Sequence, residues 1–325
     1  MIPRIGLVGG GHWSNRMHVP AAQRVQASGL ARYAAVCDLD SAAAASGAAS
    51  LDARPYTDLG KMFREVHPDG LVLVVHCATT PSLILEAARL KVPFLAEKPP
   101  APDTAVHRRL LAAVGNLPHM VGYNRRHAPY TTTARAWMGD EVPQTVTALF
   151  SRYRRRSEDF TTTAVHAIDA ALFLATGTVA AARIEIARAG EVRNFFIDAW
   201  TDAHTRVSIH VTPDTSTRQE HYIVRGPTRS AHVAFPHPGM IDFPGYVELQ
   251  KEARTIARKT CTDYGIAEDD QPALAGVRAE HERFAQMLCG KAEPISTLAT
   301  SLPTQLLREQ LTRQTDTRLS FDWTP

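Results

Sequence analysis

The sequence predicts an α/β protein of two domains: an N-terminal doubly wound parallel sheet, then an α+β domain with an open, mainly antiparallel sheet. The chain has 325 residues, more than a single hydrophobic core usually serves. Over the first third, short apolar runs alternate with helix-like segments, a pattern typical of parallel strands joined by helices. From residue 145 onward, strand-like runs follow one another directly. We therefore divide the chain into residues 1–122 and 123–325.

The predicted first domain begins with a strand at residues 5–8, a glycine-rich turn and a helix, and a second strand covers residues 32–37. The alternation continues with a helix at 41–50, a strand at 71–75, a helix at 83–90 and a strand at 92–96. In such a sheet, ligands bind beyond the carboxyl ends of the strands. Asp38, Thr79 and Lys98 follow or end this set of strands, so we expect them along one crevice.

The glycine turn predicts a dinucleotide site. Gly9 permits the tight turn, Gly11 lets a pyrophosphate approach the backbone, and Ser14 provides a small residue at the third position of the motif. The N-terminus of the following helix offers N–H donors to phosphate. Asp38 lies 24 residues beyond Ser14, where a carboxylate can accept from both ribose hydroxyls. Because Asp38 would repel a 2′-phosphate, we expect NAD in preference to NADP.

The second domain is predicted to contain strands at 145–153, 182–187, 194–200, 206–211 and 221–224, and an amphipathic helix at 273–288. The net charge of +3 arises from 36 basic and 33 acidic residues, a balance that argues against nucleic acid or an anionic membrane as the main partner. The longest strongly apolar run, residues 70–78, is too short to span a bilayer. We expect a cytoplasmic protein whose partner is a small polar molecule.

The four cysteines stand far apart, at positions 37, 77, 261 and 289, without the spacing of a metal knuckle or redox motif. His232 and His237 have no carboxylate or cysteine companions at ligand spacing. We therefore expect reduced thiols and no metal site.

Five segments of the chain form a recognisable pattern: residues 9–18, 37–38, 96–99, 121–126 and 166–169, of which the Glu97-Lys98-Pro99 sequence is the most specific. In these segments the chain resembles the family of glucose-fructose oxidoreductase, inositol dehydrogenase and rhizopine-catabolism enzymes. The resemblance implies a Rossmann domain followed by an open sheet, with substrate on one face of that sheet and a homodimer or homotetramer interface on the other. It also implies a cis Lys98–Pro99 bond and a helix near 273–290 that packs back on the first domain.

The resemblance further implies the residues of the site. Lys98 and His166 would be catalytic. The cofactor would contact the glycine turn and the strand ends: Gly9, Gly11, His12, Trp13, Ser14, Asp38, Thr79, Glu97, Lys98 and Asn124. The substrate would contact Lys98 and residues of the second domain or its border: Tyr123, Arg126, Tyr153, His166 and Asp169.

The chain departs from the family pattern before His166. Relatives usually carry an Asp four residues before this histidine and a Gly two before it, and Thr162 and Ala164 occupy these positions here. A threonine does not take up a proton near neutral pH. Proton transfer would then fall to Lys98, to His166 or to a residue that the sequence does not place, such as Tyr153 or His127.

Arg152, Arg154 and Arg156 alternate along a predicted strand and would share one face. Such a run is usually a solvated face, but arginines also offer bidentate donors to a carboxylate or phosphate, so an anionic substrate is the second interpretation.

Three functions remain open at this stage. The first is hydride transfer between NAD and a sugar, cyclitol or related polyhydroxy compound. The second is a redox-neutral reaction with retained NAD, as in glycosidase or sugar-sugar oxidoreductase relatives. The third is a nucleotide-binding protein without catalysis, which the threonine at position 162 favours and Lys98 opposes.

Overall fold

The computed structural model describes residues 2–155, 160–313 and 317–320. They form two units. The first comprises the described residues up to Asn124 together with Gly276–Leu302, and the second comprises Arg125–Ala275 with the described residues after Leu302.

Among the described residues, the first unit contains six strands: β1 (Arg4–Val8), β2 (Arg32–Cys37), β3 (Arg54–Tyr56), β4 (Gly70–Leu73), β5 (Phe94–Glu97) and β6 (His119–Gly122). The described part of the second unit adds nine: β7 (Thr145–Ser151), β8 (Val179–Ala189), β9 (Val192–Thr201), β10 (Arg206–Thr212), β11 (Gln219–Arg225), β12 (Arg229–Ala234), β13 (Tyr246–Lys251), β14 (Arg254–Lys259) and β15 (Thr317–Ser320).

The same residues form ten α-helices: α1 (Val19–Ala27), α2 (Ser41–Leu51), α3 (Leu59–Val66), α4 (Thr80–Arg89), α5 (Thr104–Val114), α6 (Pro129–Met138), α7 (Thr161–Leu174), α8 (Gln271–Leu274), α9 (Val277–Leu288) and α10 (Leu298–Arg313). A π-helical turn, Ser14–His18, leads directly into α1.

The first unit is a parallel sheet in the order β3-β2-β1-β4-β5-β6. Strands β4, β5 and β6 are buried along their whole length, as expected where helices cover both faces of a parallel sheet. Asp40, Asp58 and Asp103 cap α2, α3 and α5 by accepting backbone N–H groups of the first turn. Phe284 and Met287 of α9 complete the core of this unit, and α9 packs against α1.

The second unit is a sheet in the order β14-β13-β12-β11-β7-β10-β9-β8-β15. Among its described strands, β7 and β10 pair in parallel and the other neighbours are antiparallel. Burial alternates along β7, β10 and β11, so one face of the sheet is buried and the other is half-exposed. Helix α7 packs against β7 and β10, and α6 packs against β12 and β13.

The predicted fold class is confirmed, but several strands were missed and one predicted helix is interrupted. Strands β3, β6 and β12 to β15 were not predicted, because each spans only three to six residues and gives a weak alternation signal. The helix predicted at 273–288 is interrupted at Gly276, whose φ of +87° separates α8 from α9. A left-handed residue ends one helix and starts the next in a new direction.

Candidate functional site

The carboxyl ends of the first unit's strands bring together most of the predicted cofactor residues. The glycine turn follows β1, Asp38 follows β2, Thr79 precedes α4, and Lys98 follows β5. Tyr123 and Asn124, both buried, follow β6. In this strand order the direction of winding reverses between β1 and β4, the position where doubly wound sheets bind their ligands.

The glycine turn is shaped by two close approaches and one open side. Gly9 has a φ of +104°, and a Cβ there would lie 2.1 Å from the carbonyl oxygen of Val74. A Cβ on Gly10 would lie 2.7 Å from the carbonyl oxygen of Ala43, whereas a Cβ on Gly11 would meet nothing within 4 Å. The turn is therefore compact beneath Gly9 and Gly10 and leaves space beside Gly11, which suits the approach of a pyrophosphate.

Asp38 ties this turn to the loop after β2. Its Oδ2 accepts from the Gly10 N–H at 2.6 Å, and its Oδ1 accepts from the Asp40 N–H at 2.9 Å. Burial, and then the Asp38 carboxylate, raise the pKa of the neighbouring Cys37 thiol to about 11, so this cysteine stays protonated at neutral pH. Asp38 is thus held at the strand end by backbone donors.

The segment after the glycine turn has both exposed and buried side chains. His12 and Trp13 are exposed, whereas Ser14 and His18 are buried. The Val19 N–H donates to the Ser14 carbonyl, a bond between residues five apart that defines the π-helical turn.

Glu97 receives three donors at the end of β5. Its Oε1 accepts from the Trp13 indole N–H at 3.0 Å and lies 2.8 Å from Nε2 of His18, and its Oε2 accepts from the Lys98 backbone N–H at 3.0 Å. Burial alone would raise the pKa of Glu97, but the hydrogen bond and charge of His18, together with Lys98 and Trp13, hold it below its usual value. The carboxylate is therefore ionised at neutral pH.

The Lys98–Pro99 peptide bond is cis, as predicted. Lys98 is half-buried and Pro99 is buried. Sequence reasoning missed His18 as a partner of Glu97, because nothing in the spacing of residues 18 and 97 indicates that they meet.

In the second unit, two predicted substrate residues bind each other. Arg126 donates from Nε to Oδ2 of Asp169 at 2.8 Å and from its terminal nitrogen to Oδ1 at 2.6 Å. Thr304 also donates to Oδ1, at 3.2 Å, and Asp169 is fully buried. His166 is buried one turn before Asp169 on α7, with Thr162 half-buried ahead of it. Asp169 is thus held by a bidentate ion pair in the interior of this unit.

Glu220 forms a second ion cluster that sequence reasoning missed. It accepts from Arg125 at 3.0 and 3.2 Å, from Arg152 at 2.7 Å and from the Tyr222 hydroxyl at 2.7 Å. Burial alone would raise the pKa of Glu220, but Arg125 and Arg152 lower it far below its usual range. Three charged groups in one interior position carry no periodic signal in the sequence.

The prediction that the arginines share a strand face is wrong. Strand β7 ends at Ser151, and Arg152 turns inward to the Glu220 carboxylate instead of lying on a solvated face. The backbone of Arg154 has a φ of +54°, so alternation is lost beyond the strand end. The side chains of Tyr153 and Arg154 are exposed, and Arg156 lies outside the described residues. His127, the other candidate proton carrier, is buried.

Within residues 2–155, 160–313 and 317–320, no group of three or more His, Cys, Asp and Glu side chains is arranged to hold a metal ion. All four cysteines are free thiols. In the same part of the chain, no helix is both long and apolar enough to cross a membrane.

Comparison with known proteins found a family match for the N-terminal part of the chain. Residues 3–125 match the model of the oxidoreductase family with an NAD-binding Rossmann fold that is named for Gfo, Idh and MocA. A search of curated proteins found no match.

Solved structures share the fold over nearly the full length. A dehydrogenase from Chromobacterium violaceum is 17% identical, with a TM-score of 0.80 and coverage of 95% of this chain and 94% of that one. The UDP-N-acetylglucosamine 3-dehydrogenase GnnA from Acidithiobacillus ferrooxidans is 19% identical, with a TM-score of 0.77 and coverage of 95% and 96%. The WlbA dehydrogenase from Bordetella pertussis, solved with NADH and UDP-GlcNAcA, is 20% identical, with a TM-score of 0.72 and full coverage of both chains.

The glycine turn, the carboxylate after β2 and the Glu-Lys-Pro segment after β5 all lie within the matched residues. The N-terminal part of the chain is therefore similar to the NAD-binding Rossmann domain of the Gfo/Idh/MocA oxidoreductase family.

Proposed function

We propose that this protein is an NAD-dependent oxidoreductase that transfers a hydride between nicotinamide and a sugar, cyclitol or related polyhydroxy compound. The observation that carries the proposal is the convergence of the glycine turn, Asp38 and Lys98 at one edge of the Rossmann sheet. This edge supplies a pyrophosphate site, a ribose acceptor and an ionisable group on neighbouring strands.

The residues present fit NAD. The open space beside Gly11 leaves room for a pyrophosphate to approach the turn, and the Asp38 carboxylate is held at the end of β2, where it could accept from the ribose hydroxyls. Asp40 accepts from the Ala42 and Ala43 N–H groups at the start of α2. A 2′-phosphate near this loop would meet two carboxylates, which supports a preference for NAD over NADP.

Bound NAD supplies the hydride acceptor or donor, and the chain's own residues handle the accompanying proton. Lys98 would hold that proton at Nζ. It would donate the proton when the substrate carbonyl is reduced and accept it when the substrate hydroxyl is oxidised. His166 would assist by orienting the substrate hydroxyl. Thr162 stands where relatives carry an Asp, so Lys98 bears more of the proton transfer here.

The substrate class rests on the polar groups of the site and on the neighbours. Two of the structural neighbours are named for, or bound to, UDP-linked sugars. We propose a sugar or cyclitol on this basis. The arginine run gives little support to an anionic substrate, since Arg152 is engaged with Glu220.

The half-exposed face of the nine-stranded sheet is the proposed surface for a homodimer or homotetramer. Leu149, Phe196 and Trp200 add apolar area to it, and Trp200 is 39% exposed. Light scattering of the purified protein, with a molar mass of two or four chains expected, tests this.

Calorimetry with NAD and NADP, followed by NADH absorbance in the presence of a panel of sugars and cyclitols, tests the proposed function. Net formation or consumption of NADH supports a dehydrogenase. Product without net NADH indicates the redox-neutral alternative, and binding without any turnover indicates a nucleotide-binding protein. Absence of binding to either nucleotide would overturn the proposal.

A further inference from the structure

Four buried side chains of the first unit form a continuous hydrogen-bonded chain that begins at Glu97. Oε1 of Glu97 lies 2.8 Å from Nε2 of His18, Nδ1 of His18 lies 2.9 Å from Nε2 of His281, and Nδ1 of His281 lies 2.6 Å from the Tyr33 hydroxyl. The members come from β5, the π-helical turn, α9 and β2. Glu97 is 8% exposed and the other three are at most 1% exposed.

The end groups set the direction of the hydrogen bonds when both rings are neutral. Glu97 is ionised and can only accept, so His18 donates to it from Nε2. Nδ1 of His18 is then an acceptor, and Nε2 of His281 donates to it. Burial raises the pKa of Tyr33 well above its usual value, so its hydroxyl keeps its proton and donates to Nδ1 of His281. Every ring nitrogen has a partner.

Adding one proton reverses the direction of the His18–His281 and His281–Tyr33 hydrogen bonds and leaves the His18–Glu97 bond unchanged. A protonated His18 still donates from Nε2 to Glu97, and its Nδ1 now donates to Nε2 of His281. His281 then donates from Nδ1 to the Tyr33 oxygen. The bond that holds Glu97 is therefore the same in both protonation states.

The chain is better suited to holding Glu97 than to conducting protons. Its far end is the fully buried Tyr33, and burial opposes loss of the hydroxyl proton. At its near end, the same Glu97 carboxylate accepts from the Trp13 indole and from the Lys98 backbone N–H. A displacement of His18 would move Glu97 and thereby also disturb Trp13 and Lys98, which bond to the same carboxylate.

We propose that His281 is a positioning residue, which acts through His18 to hold Glu97, Trp13 and Lys98 in the arrangement that the site uses. The use of this arrangement in hydride transfer rests on the proposed function. The positioning itself is a property of the free protein, so it is measured without cofactor or substrate.

The test compares His281→Leu with His281→Gln by NMR of protein carrying isotope-labelled tryptophan. The indole N–H signal of Trp13, identified by its loss in Trp13→Phe, reports the bond to Glu97. Leucine removes both ring nitrogens, so the Trp13 signal should move towards the position of a weaker hydrogen bond. Glutamine carries a donor and an acceptor on one amide, so in His281→Gln the Trp13 signal should return most of the way to its wild-type position.

His119→Leu is the matched control. His119 is a buried histidine of the same unit on β6, beside β5, and its ring bonds to Leu117 and Leu298 rather than to Glu97. The Trp13 signal should stay in place in this variant. An unmoved signal in folded His281→Leu, or an equal movement in His119→Leu, would overturn the positioning role.

Cofactor affinity and turnover provide the second readout. His281→Leu should lower the Lys98-dependent rate by up to about 10²-fold, because small misplacements of reacting groups carry large rate effects. His281→Gln should recover most of that rate. If the wild type binds no nucleotide, the proposed function fails while the Trp13 signal still decides the positioning role.

Discussion

Two carboxylates of the first unit and two of the second unit are held in opposite ways. In the first unit, Asp38 and Glu97 accept from neutral or titratable donors: backbone N–H groups, an indole and an imidazole. In the second unit, Asp169 and Glu220 are each gripped by arginines. Arginine remains charged at all ordinary pH values and neutralises its partner in place.

This difference distinguishes the proposed cofactor site of the first unit from the ion clusters in the interior of the second. Carboxylates held by neutral donors keep their negative charge available to a ligand's hydroxyl groups or to a neighbouring lysine. Carboxylates paired with arginine contribute to the stability of the fold. The positive charge of the arginine cancels most of their electrostatic effect on other groups. We therefore expect changes at the edge of the first unit to affect binding and rate, and changes in the second unit's ion clusters to affect stability.

The largest effect is expected for Lys98→Met. Removal of a group that transfers a proton should lower the rate of the chemical step by about 10²- to 10⁴-fold, while NAD affinity changes only a few-fold. Single-turnover kinetics and calorimetry measure the two quantities. His166→Ala should have a smaller effect on rate.

Lys291→Met is the control, since Lys291 is an exposed lysine of the same unit. Its rate should equal that of the wild type. Wild-type turnover in Lys98→Met would show that another group transfers the proton.

Glu220→Gln should cost about 3–5 kcal/mol of unfolding free energy, because it leaves Arg125 and Arg152 buried without their carboxylate. Urea denaturation monitored by tryptophan fluorescence measures this loss. Glu185→Gln, at an exposed pair with Arg183, should change stability by less than about 0.5 kcal/mol. A loss below about 1 kcal/mol at Glu220 would mean that this cluster is not the structural element we describe.

The stability advantage of the wild type over Glu220→Gln should shrink in acid. The folded pKa of Glu220 is lowered, so its contribution is complete above the unfolded pKa of about 4.3 and declines as the pH falls towards the folded value. The expected decline is about 1.4 kcal/mol per pH unit below that point. Denaturation series at several pH values measure it, and a constant difference between the two proteins would contradict the assignment.

The smallest effect is expected for Asp38→Ala, which should narrow the ratio of NAD to NADP affinity by about tenfold, or ~1.4 kcal/mol. Asp40 remains in this variant and still opposes a 2′-phosphate. Addition of Asp40→Ser should narrow the ratio further, because serine keeps the cap of α2 without the charge. Calorimetry with both cofactors gives the ratios, and an unchanged ratio in Asp38→Ala would show that this carboxylate does not face the ribose.

Sequence patterns predicted four of the six described strands of the first unit, β1, β2, β4 and β5, because their signals are local. Apolar runs, a glycine turn and Asp38 at a strand end each follow from neighbouring residues, and Glu97-Lys98-Pro99 is a continuous segment. The second unit was predicted in outline, with strand boundaries displaced by up to three residues at β7, β8 and β9. Tertiary pairing extended or ended those strands, and propensity does not report that.

Contacts between distant segments could not be predicted. Arg152 pairs with a residue 68 positions away, and His18 with residues 79 and 263 positions away. No periodicity or motif in the sequence indicates either contact. The interpretation of the arginine run was wrong for this reason: alternation describes a strand only as far as its hydrogen bonding continues, and β7 ends at Ser151.

The π-helical turn Ser14–His18 has a consequence for the phase of the helix that follows the glycines. Trp13 and His18 lie five positions apart, which in a regular α-helix would point them about 140° from each other. Both nevertheless reach the same oxygen of Glu97. The wider turn accommodates one more residue than an α-helical turn and so brings two diverging side chains onto one side. Deletion of a single residue between them would place the indole and the imidazole four positions apart, about 40° from each other in a regular α-helix. The extra residue of the π-helical turn is thus what allows two residues five positions apart to share one side.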